Sequence, residues 1–232
     1  MSRKLILFGE GAGDRGSLPI LTSKILTRLR CQDALSVSRE FFEVGNIHSL
    51  LQVDRKTDQI VATKWLNLLR AAGKQRPYGI LVVLDGDVRF PPQSPDAFCA
   101  ATAARKLADI ARREAGAGQV FSLGVVFACK EYESWLVAGI ESLAGKRLPN
   151  GQVGVRAGTE LGRADPQTRG EKWLAQQLTQ SYKKTEHQAA LTRHLDIEQV
   201  VGRKVRSFER LIHAVQQLAE AARSGGYVCS PS

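Results

Sequence analysis

The chain has 232 residues, 43% of them hydrophobic, and its 33 Lys and Arg against 23 Asp and Glu give a formal charge of +10. This length suits one α/β domain with an elaborated tail. The hydrophobic fraction is large enough to form a core, so the chain is not intrinsically disordered. The apolar runs are strand-sized and far shorter than the ~20 residues of a membrane-spanning helix, so we expect no membrane segment.

The N-terminal apolar run, residues 5–8, is too short for the hydrophobic region of a signal peptide, which predicts that the protein is not exported. The four cysteines lie far apart and show no zinc-like spacing: Cys31, Cys99, Cys129 and Cys229. We therefore expect reduced thiols in a cytoplasmic protein.

Apolar runs predict four strands, at residues 4–8, 39–44, 80–84 and 120–128. Helical spacing of apolar residues fills the segments between them. This alternation predicts an α/β fold of Rossmann-like type, with an open, mainly parallel four-stranded sheet and helices on both faces. We expect this core over residues 1–144. Residues 145–232 should form an insert and a helical C-terminal extension that packs on the core. We expect the chain to be frayed from residue 225.

The third predicted strand is the most informative stretch, because five uncharged apolar residues run directly into Asp85, Gly86 and Asp87. Ligands of open parallel sheets bind beyond the carboxyl ends of the strands. Two carboxylates so close together repel each other unless a positive charge lies near, and Mg²⁺ prefers such oxygen ligands. The alternative is a polar turn, in which Asp and Gly are common.

The first predicted strand runs into a glycine-rich turn that contains Glu10 and Asp14. Its glycines do not complete a dinucleotide-binding pattern, because position 14 is Asp, and the chain has no Gly-Lys-Ser/Thr phosphate loop. The fourth strand is followed by Glu131 and Glu133.

Parallel strands end at one edge of a sheet, so all these carboxylates should meet there. Each pair alone could instead serve a first helical turn, where acidic side chains are favoured. An acidic cluster on the ligand-binding edge of a basic protein is better explained by bound cations, and we expect Mg²⁺ or Mn²⁺.

A strand followed by Glu-Gly-x-x-Asp, and a later strand followed by Asp-x-Asp, resemble the Toprim fold of topoisomerases, primases and the overcoming-lysogenisation-defect nucleases. The fuller pattern resembles a poorly characterised bacterial branch of that group, through Glu131-x-Glu133-x-Trp135 and a tail with residues 182–185 and Ser207-Phe208 before the final helix. Members of that branch are implicated in phage defence beside an ATPase, so the resemblance implies such a partner.

The resemblance also implies roles. It makes Glu10, Asp85 and Asp87 the catalytic residues, with Glu10 as general acid/base or metal ligand and the two aspartates as principal metal ligands. It makes Asp14 a second ligand on the first loop, and it places Glu131 and Glu133 where nucleases of this fold hold a second ion. The chain shows no candidate for the topoisomerase domain that carries the covalent tyrosine, and no zinc element of a primase.

Metal-dependent hydrolysis of phosphodiester bonds in DNA or RNA is therefore the expected function. Lys183, Lys184 and Arg206 in the basic tail are the candidate nucleic-acid contacts, although solvated surface lysines and arginines would look the same. Two other functions stay open: a non-catalytic subunit that binds nucleic acid or an ATPase, and a phosphohydrolase of small nucleotides.

Overall fold

A computed structural model describes residues 2–54, 59–86, 99–162, 165–166 and 170–231. Its strands are β1 (Arg3–Gly9), β2 (Leu35–Glu43), β3 (Gln52–Val53), β4 (Ile60–Val61), β5 (Gly79–Asp85), β6 (Ser122–Ala128) and β7 (Cys229–Pro231). Within the described ranges, five of these strands form one sheet in the order β2-β1-β5-β6-β7, and every neighbouring pair is parallel. The short β3 and β4 pair with each other, antiparallel.

The helices are α1 (Ala12–Arg28), α2 (Ile47–Leu50), α3 (Thr63–Gly73), α4 (Ala100–Ala115), α5 (Glu133–Ala138), α6 (Ile140–Leu143), α7 (Glu171–Gln177), α8 (Ala189–His194), α9 (Ile197–Gly202) and α10 (Arg206–Ser224). A π-helical turn, Lys184–Gln188, leads directly into α8. None of the helices in the described ranges combines the length and the apolarity that crossing a membrane requires.

Side chains of the central strands alternate between two separate cores. Along β1, Leu5 and Leu7 belong to one core, and Ile6 and Phe8 to the other. Helices α1, α5, α8 and α10 supply the first core, and α3 and α4 supply the second. Alternation of this kind is what a strand buried on both faces produces, and it confirms the predicted α/β class with helices on both faces of a mainly parallel sheet.

The prediction of four sheet strands is wrong, because the C-terminal segment expected to be frayed adds a fifth. Residues Cys229–Pro231 pair in parallel with residues 123–125 of β6. Pro231 is tolerated because β7 lies at the edge of the sheet, where a proline leaves no ladder hydrogen bond unmade on its outer side. Strand β2 also begins earlier than predicted, at Leu35.

The strand order creates a crevice between β1 and β5. The chain leaves β1 towards β2 on one side of the sheet, and it leaves β5 towards β6 on the other. Helix α1, which follows β1, packs on one face, and α4, which follows β5, packs on the opposite face. Their divergence opens a space at the carboxyl ends of β1 and β5, the usual ligand position in such sheets.

The C-terminal extension completes the core on one face. Helix α10 packs on β6 and β5, while α8 and the π-helical turn pack on α1. Gly124 in β6 faces α10, and a Cβ there would be in van der Waals contact with the side chains of Leu218 and Ala214, at 3.4 and 3.5 Å. The extension thereby carries residues of the tail to the edge of the sheet where β1 and β5 end.

Candidate metal centre

Glu10 and Asp85 meet at the crevice between β1 and β5. Glu10 follows the last residue of β1, and Asp85 is the last residue of β5. Glu10 Oε1 accepts a hydrogen bond from the backbone N–H of Asp85 at 3.0 Å. Asp85 Oδ1 accepts one from the backbone N–H of Tyr132 at 2.9 Å, which ties in the segment after β6. These contacts fix both carboxylates at the ends of neighbouring strands.

Asp14 joins them from the first turn of α1. Its Oδ2 accepts from the backbone N–H of Glu10 at 2.8 Å, and its Oδ1 accepts from the side-chain amide of Gln188 at 3.2 Å. We call Glu10, Asp14 and Asp85 the first carboxylate group. Together with Lys184 and Gln188 of the π-helical turn, this group lines a cavity of about 330 Å³.

Burial and mutual repulsion make negative charge costly in this group. The pKa of Asp85 is raised to about 8, first by burial and then by the charges of Glu10 and Asp14. Burial also raises the pKa of Asp14, although its hydrogen bonds oppose the shift. A divalent cation would favour the ionised forms, and three carboxylates offer only the oxygen ligands that Mg²⁺ and Mn²⁺ prefer. The residues present therefore fit such an ion.

A second carboxylate group lies on the other side of Lys184. It consists of Glu131, Glu133 and Glu171, each of which offers an oxygen within 4.8 Å of the other two. Glu133 is fully buried, and its Oε1 accepts a hydrogen bond from the Tyr182 hydroxyl at 2.7 Å. Glu131 Oε1 accepts from the backbone N–H of Glu171 at 2.5 Å. By geometry alone these oxygens could also surround a cation.

Lys184 is the positive charge between the two groups. Its Nζ lies 3.5 Å from Glu133 Oε2 and 3.3 Å from Glu171 Oε2. Burial alone would lower the pKa of Lys184, but the charges of Glu133, Asp85 and Glu171 outweigh burial and raise it. Burial raises the pKa of Glu133, and the positive charge of Lys184 opposes that rise.

Residues 10–216 match DUF4276, a domain of unknown function. This chain belongs to the DUF4276 family. The match begins at the first carboxylate of the first group and extends well beyond Lys184, so it spans both carboxylate groups. No curated protein and no solved structure matches the chain.

A glycine in this DUF4276 domain allows the tail to reach the site. A Cβ on Gly13 would clash with the side-chain oxygen of Gln188 and would lie 3.1 Å from the Cβ of Lys184. Because Gly13 has no side chain, the π-helical turn can lie directly on the first turn of α1. Gly13 therefore serves close packing of the tail in this structure.

The remaining predicted site residues are Asp87, Lys183 and Arg206. Asp87 lies outside the described residues. Lys183 is exposed and pairs with Glu186 at 2.9 Å, one turn away. Arg206 is the exposed first residue of α10. The nucleic-acid contacts expected of Lys183 and Arg206 stay predictions, whereas Lys184 is directed towards the carboxylates.

Sequence reasoning missed two members of the site. Glu171 begins α7 after an irregular segment, so no strand end marks it as a neighbour of Glu131. Gln188 is the last residue of the π-helical turn. The sequence pointed to it only indirectly, because it lies three residues after the tail motif at residues 182–185. Both are brought to the carboxylates by tertiary packing alone.

Proposed function

We propose that this protein is a Toprim-like, divalent-metal-dependent nuclease that hydrolyses phosphodiester bonds of DNA or RNA. One observation supports the proposal above all. The carboxylates at the carboxyl ends of β1 and β5 line a single cavity at the point where the strand order reverses, and Glu10 is hydrogen-bonded to the backbone of Asp85. Ligand sites of open α/β sheets form at this position.

In this proposal Glu10, Asp14, Asp85 and Asp87 hold Mg²⁺ or Mn²⁺. When bound, such an ion would stabilise negative charge on a phosphate and would make the attacking water easier to deprotonate. The chain supplies orientation: the N–H of Tyr132 fixes Asp85, the N–H of Asp85 fixes Glu10, and Gln188 fixes Asp14. Glu10 serves either as one of these ligands or as the general acid/base.

A polymeric, polyanionic substrate would be attracted by the net positive charge of the chain, which is formally +10. Exposed basic side chains of the tail, Lys183 and Arg206 among them, would neutralise phosphates away from the ion. The resemblance to Toprim nucleases adds the proposal of a cytoplasmic role in phage defence with an ATPase partner.

The test is cleavage of single- and double-stranded DNA and RNA by the purified chain with Mn²⁺ or Mg²⁺. Asp85→Asn should reduce the rate by at least about 100-fold, the usual cost of losing one preorganised electrostatic group. The matched control is Asp109→Asn, which removes an exposed carboxylate on α4 that pairs with Arg112. Full activity of the Asp85→Asn variant would remove the first carboxylate group from the reaction.

Two other outcomes lead to different functions. A folded protein that cuts no polymer with any divalent ion, with or without an ATPase, would point to a non-catalytic binding subunit. Turnover of free nucleotides without polymer cleavage would point to a small-molecule phosphohydrolase.

A further inference from the structure

Lys184 is held in place from two directions. Its Cβ lies beside Gly13, whose missing side chain leaves room for it. Its ammonium group lies within 3.5 Å of oxygens on Glu133 and Glu171. The turn that carries it continues into α8, which packs on α1. The ammonium is therefore positioned by the fold, unlike that of an ordinary surface lysine.

A cation beside the second carboxylate group stabilises the ionised form of its buried member. Glu133 is fully buried, and an isolated buried carboxylate is strongly disfavoured unless it is paired. Its Oε1 accepts a hydrogen bond from the Tyr182 hydroxyl, and its Oε2 lies 3.5 Å from the ammonium group of Lys184. Glu131 and Glu171 add negative charge within 4.8 Å.

We propose that the ammonium group of Lys184 stands in the position of a second metal ion, so that the chain binds one divalent ion, at the first carboxylate group. This inference rests on the proposed function and specifies its metal stoichiometry. It changes the expected role of Glu131 and Glu133: Glu133 and Glu171 pair with Lys184, and Glu131 adds negative charge beside them. It also changes the role of Lys184 from a contact for the nucleic-acid backbone to a fixed positive charge beside the single ion.

Electrostatics and geometry both favour one ion. A second divalent ion within reach of Glu133 Oε2 and Glu171 Oε2 would compete with Lys184 for the same two oxygens, and the two cations would repel each other. The Lys184 charge also acts on Asp14 and Asp85, but these carboxylates accept hydrogen bonds from backbone N–H groups and a neutral amide, whereas Glu133 and Glu171 form ion pairs with the ammonium group.

The experiment is calorimetric titration of the full chain with Mn²⁺ alone, which gives the number of ions bound without any substrate. We expect one ion for the natural chain. Lys184→Met should bind two, because Glu131, Glu133 and Glu171 then lack their cation. Lys184→Arg is the matched control: it keeps the charge and should bind one.

Three results would overturn the inference. Two ions in the natural chain would show that Lys184 does not exclude a metal, and the proposed function would survive. A single ion in a folded Lys184→Met variant would show that the second group is not a cation position. No ion in the natural chain would overturn the proposed function together with the inference.

A second variant keeps the test usable if Lys184→Met does not fold. Glu171→Gln removes a half-exposed carboxylate of the second group. It should leave one ion bound with Mn²⁺ affinity changed by less than about 10-fold, the lower end for a residue that acts on a metal site through a neighbour. Loss of an ion in this variant would identify Glu171 as a metal ligand and contradict the inference.

Discussion

The two carboxylate groups have the same acidic chemistry but obtain their positive charge differently. The first group lines a cavity, and the donors to its oxygens described above are backbone N–H groups and an amide. The second group contains the fully buried Glu133, and Lys184 contacts two of its carboxylates. We infer that the second group is paired with a cation of the chain itself, whereas the first needs a cation from solution in addition to the charge of Lys184.

The two groups also arise differently. The first group is a product of sheet topology, because Glu10 and Asp85 end neighbouring parallel strands. The second group is a product of tail packing, because Glu171 and Lys184 come from the C-terminal extension. Substitutions in the first group should therefore affect metal-dependent chemistry, and substitutions around Lys184 should affect stability as well.

The largest expected effect is on catalysis. Glu10→Gln should reduce Mn²⁺-dependent cleavage by about 100-fold or more, because the first group loses a charged ligand. Glu171→Gln should reduce it by less than about 10-fold, because Glu171 acts only through Lys184. Initial rates of cleavage, with circular dichroism as a check on folding, measure both. Equal losses in the two variants would remove the proposed difference between the groups.

The next effect is on stability. Without divalent metal, Lys184→Met should lower the free energy of unfolding by about 2 kcal/mol, less than the loss from breaking a fully buried pair, because the Lys184 side chain is 39% exposed. Urea denaturation measures this loss. Lys183→Met is the control, since it breaks only an exposed pair with Glu186, and it should leave the unfolding midpoint unchanged. A midpoint for Lys184→Met equal to that of the control would contradict the pairing.

A third effect is on the pH dependence of stability. The pKa of Asp85 is raised from 3.8 to about 8, so the folded state keeps a proton that the unfolded chain releases. This contribution to stability is complete below pH 3.8 and is lost as the pH rises through about 8. In metal-free protein the slope from this group is at most about 1.4 kcal/mol per pH unit.

Urea denaturation between those pH values tests that slope. Asp85→Asn should flatten the decline, because the amide does not titrate. Saturating Mn²⁺ should flatten it in the natural chain, because the ion stabilises the carboxylate. Parallel curves for the natural chain and the variant would show that Asp85 titrates near its ordinary pKa.

The smallest expected effect comes from the packing of the tail. Gly13→Ala should destabilise the protein by about 1 kcal/mol, because the added methyl group meets Gln188 and Lys184 and overpacking outweighs the gain in helix propensity. Gly73→Ala is the matched control, since a Cβ there meets no atom within 4 Å. Thermal unfolding of both variants measures the difference, and a Gly13→Ala variant as stable as the control would argue against close packing of the turn.

Much of the fold could be predicted because buried strands leave a strong pattern. Uncharged apolar runs located β1, β5 and β6, and the alternation with helices predicted a parallel sheet covered on both faces. Strand β7 could not be predicted in this way, since it has three residues, one of them proline, and owes its strand conformation to pairing with β6. The start of β2 was missed because polar side chains interrupt an edge strand.

The candidate site divides in the same way. The meeting of Glu10 with Asp85 followed from the rule for strand ends, and the structure confirms that they are in contact. The pairing of Lys184 with Glu133 could not be predicted, because it depends on how the tail packs on α1. Spacing along the chain carries no information about such a contact.

The most direct test of the account is the anomalous diffraction of crystals soaked in Mn²⁺. We expect one strong peak between the carboxylates of Glu10 and Asp85, and the Lys184 ammonium still paired with Glu133 and Glu171. A peak among Glu131, Glu133 and Glu171, or no peak at Glu10 and Asp85, would contradict the assignment of the two groups.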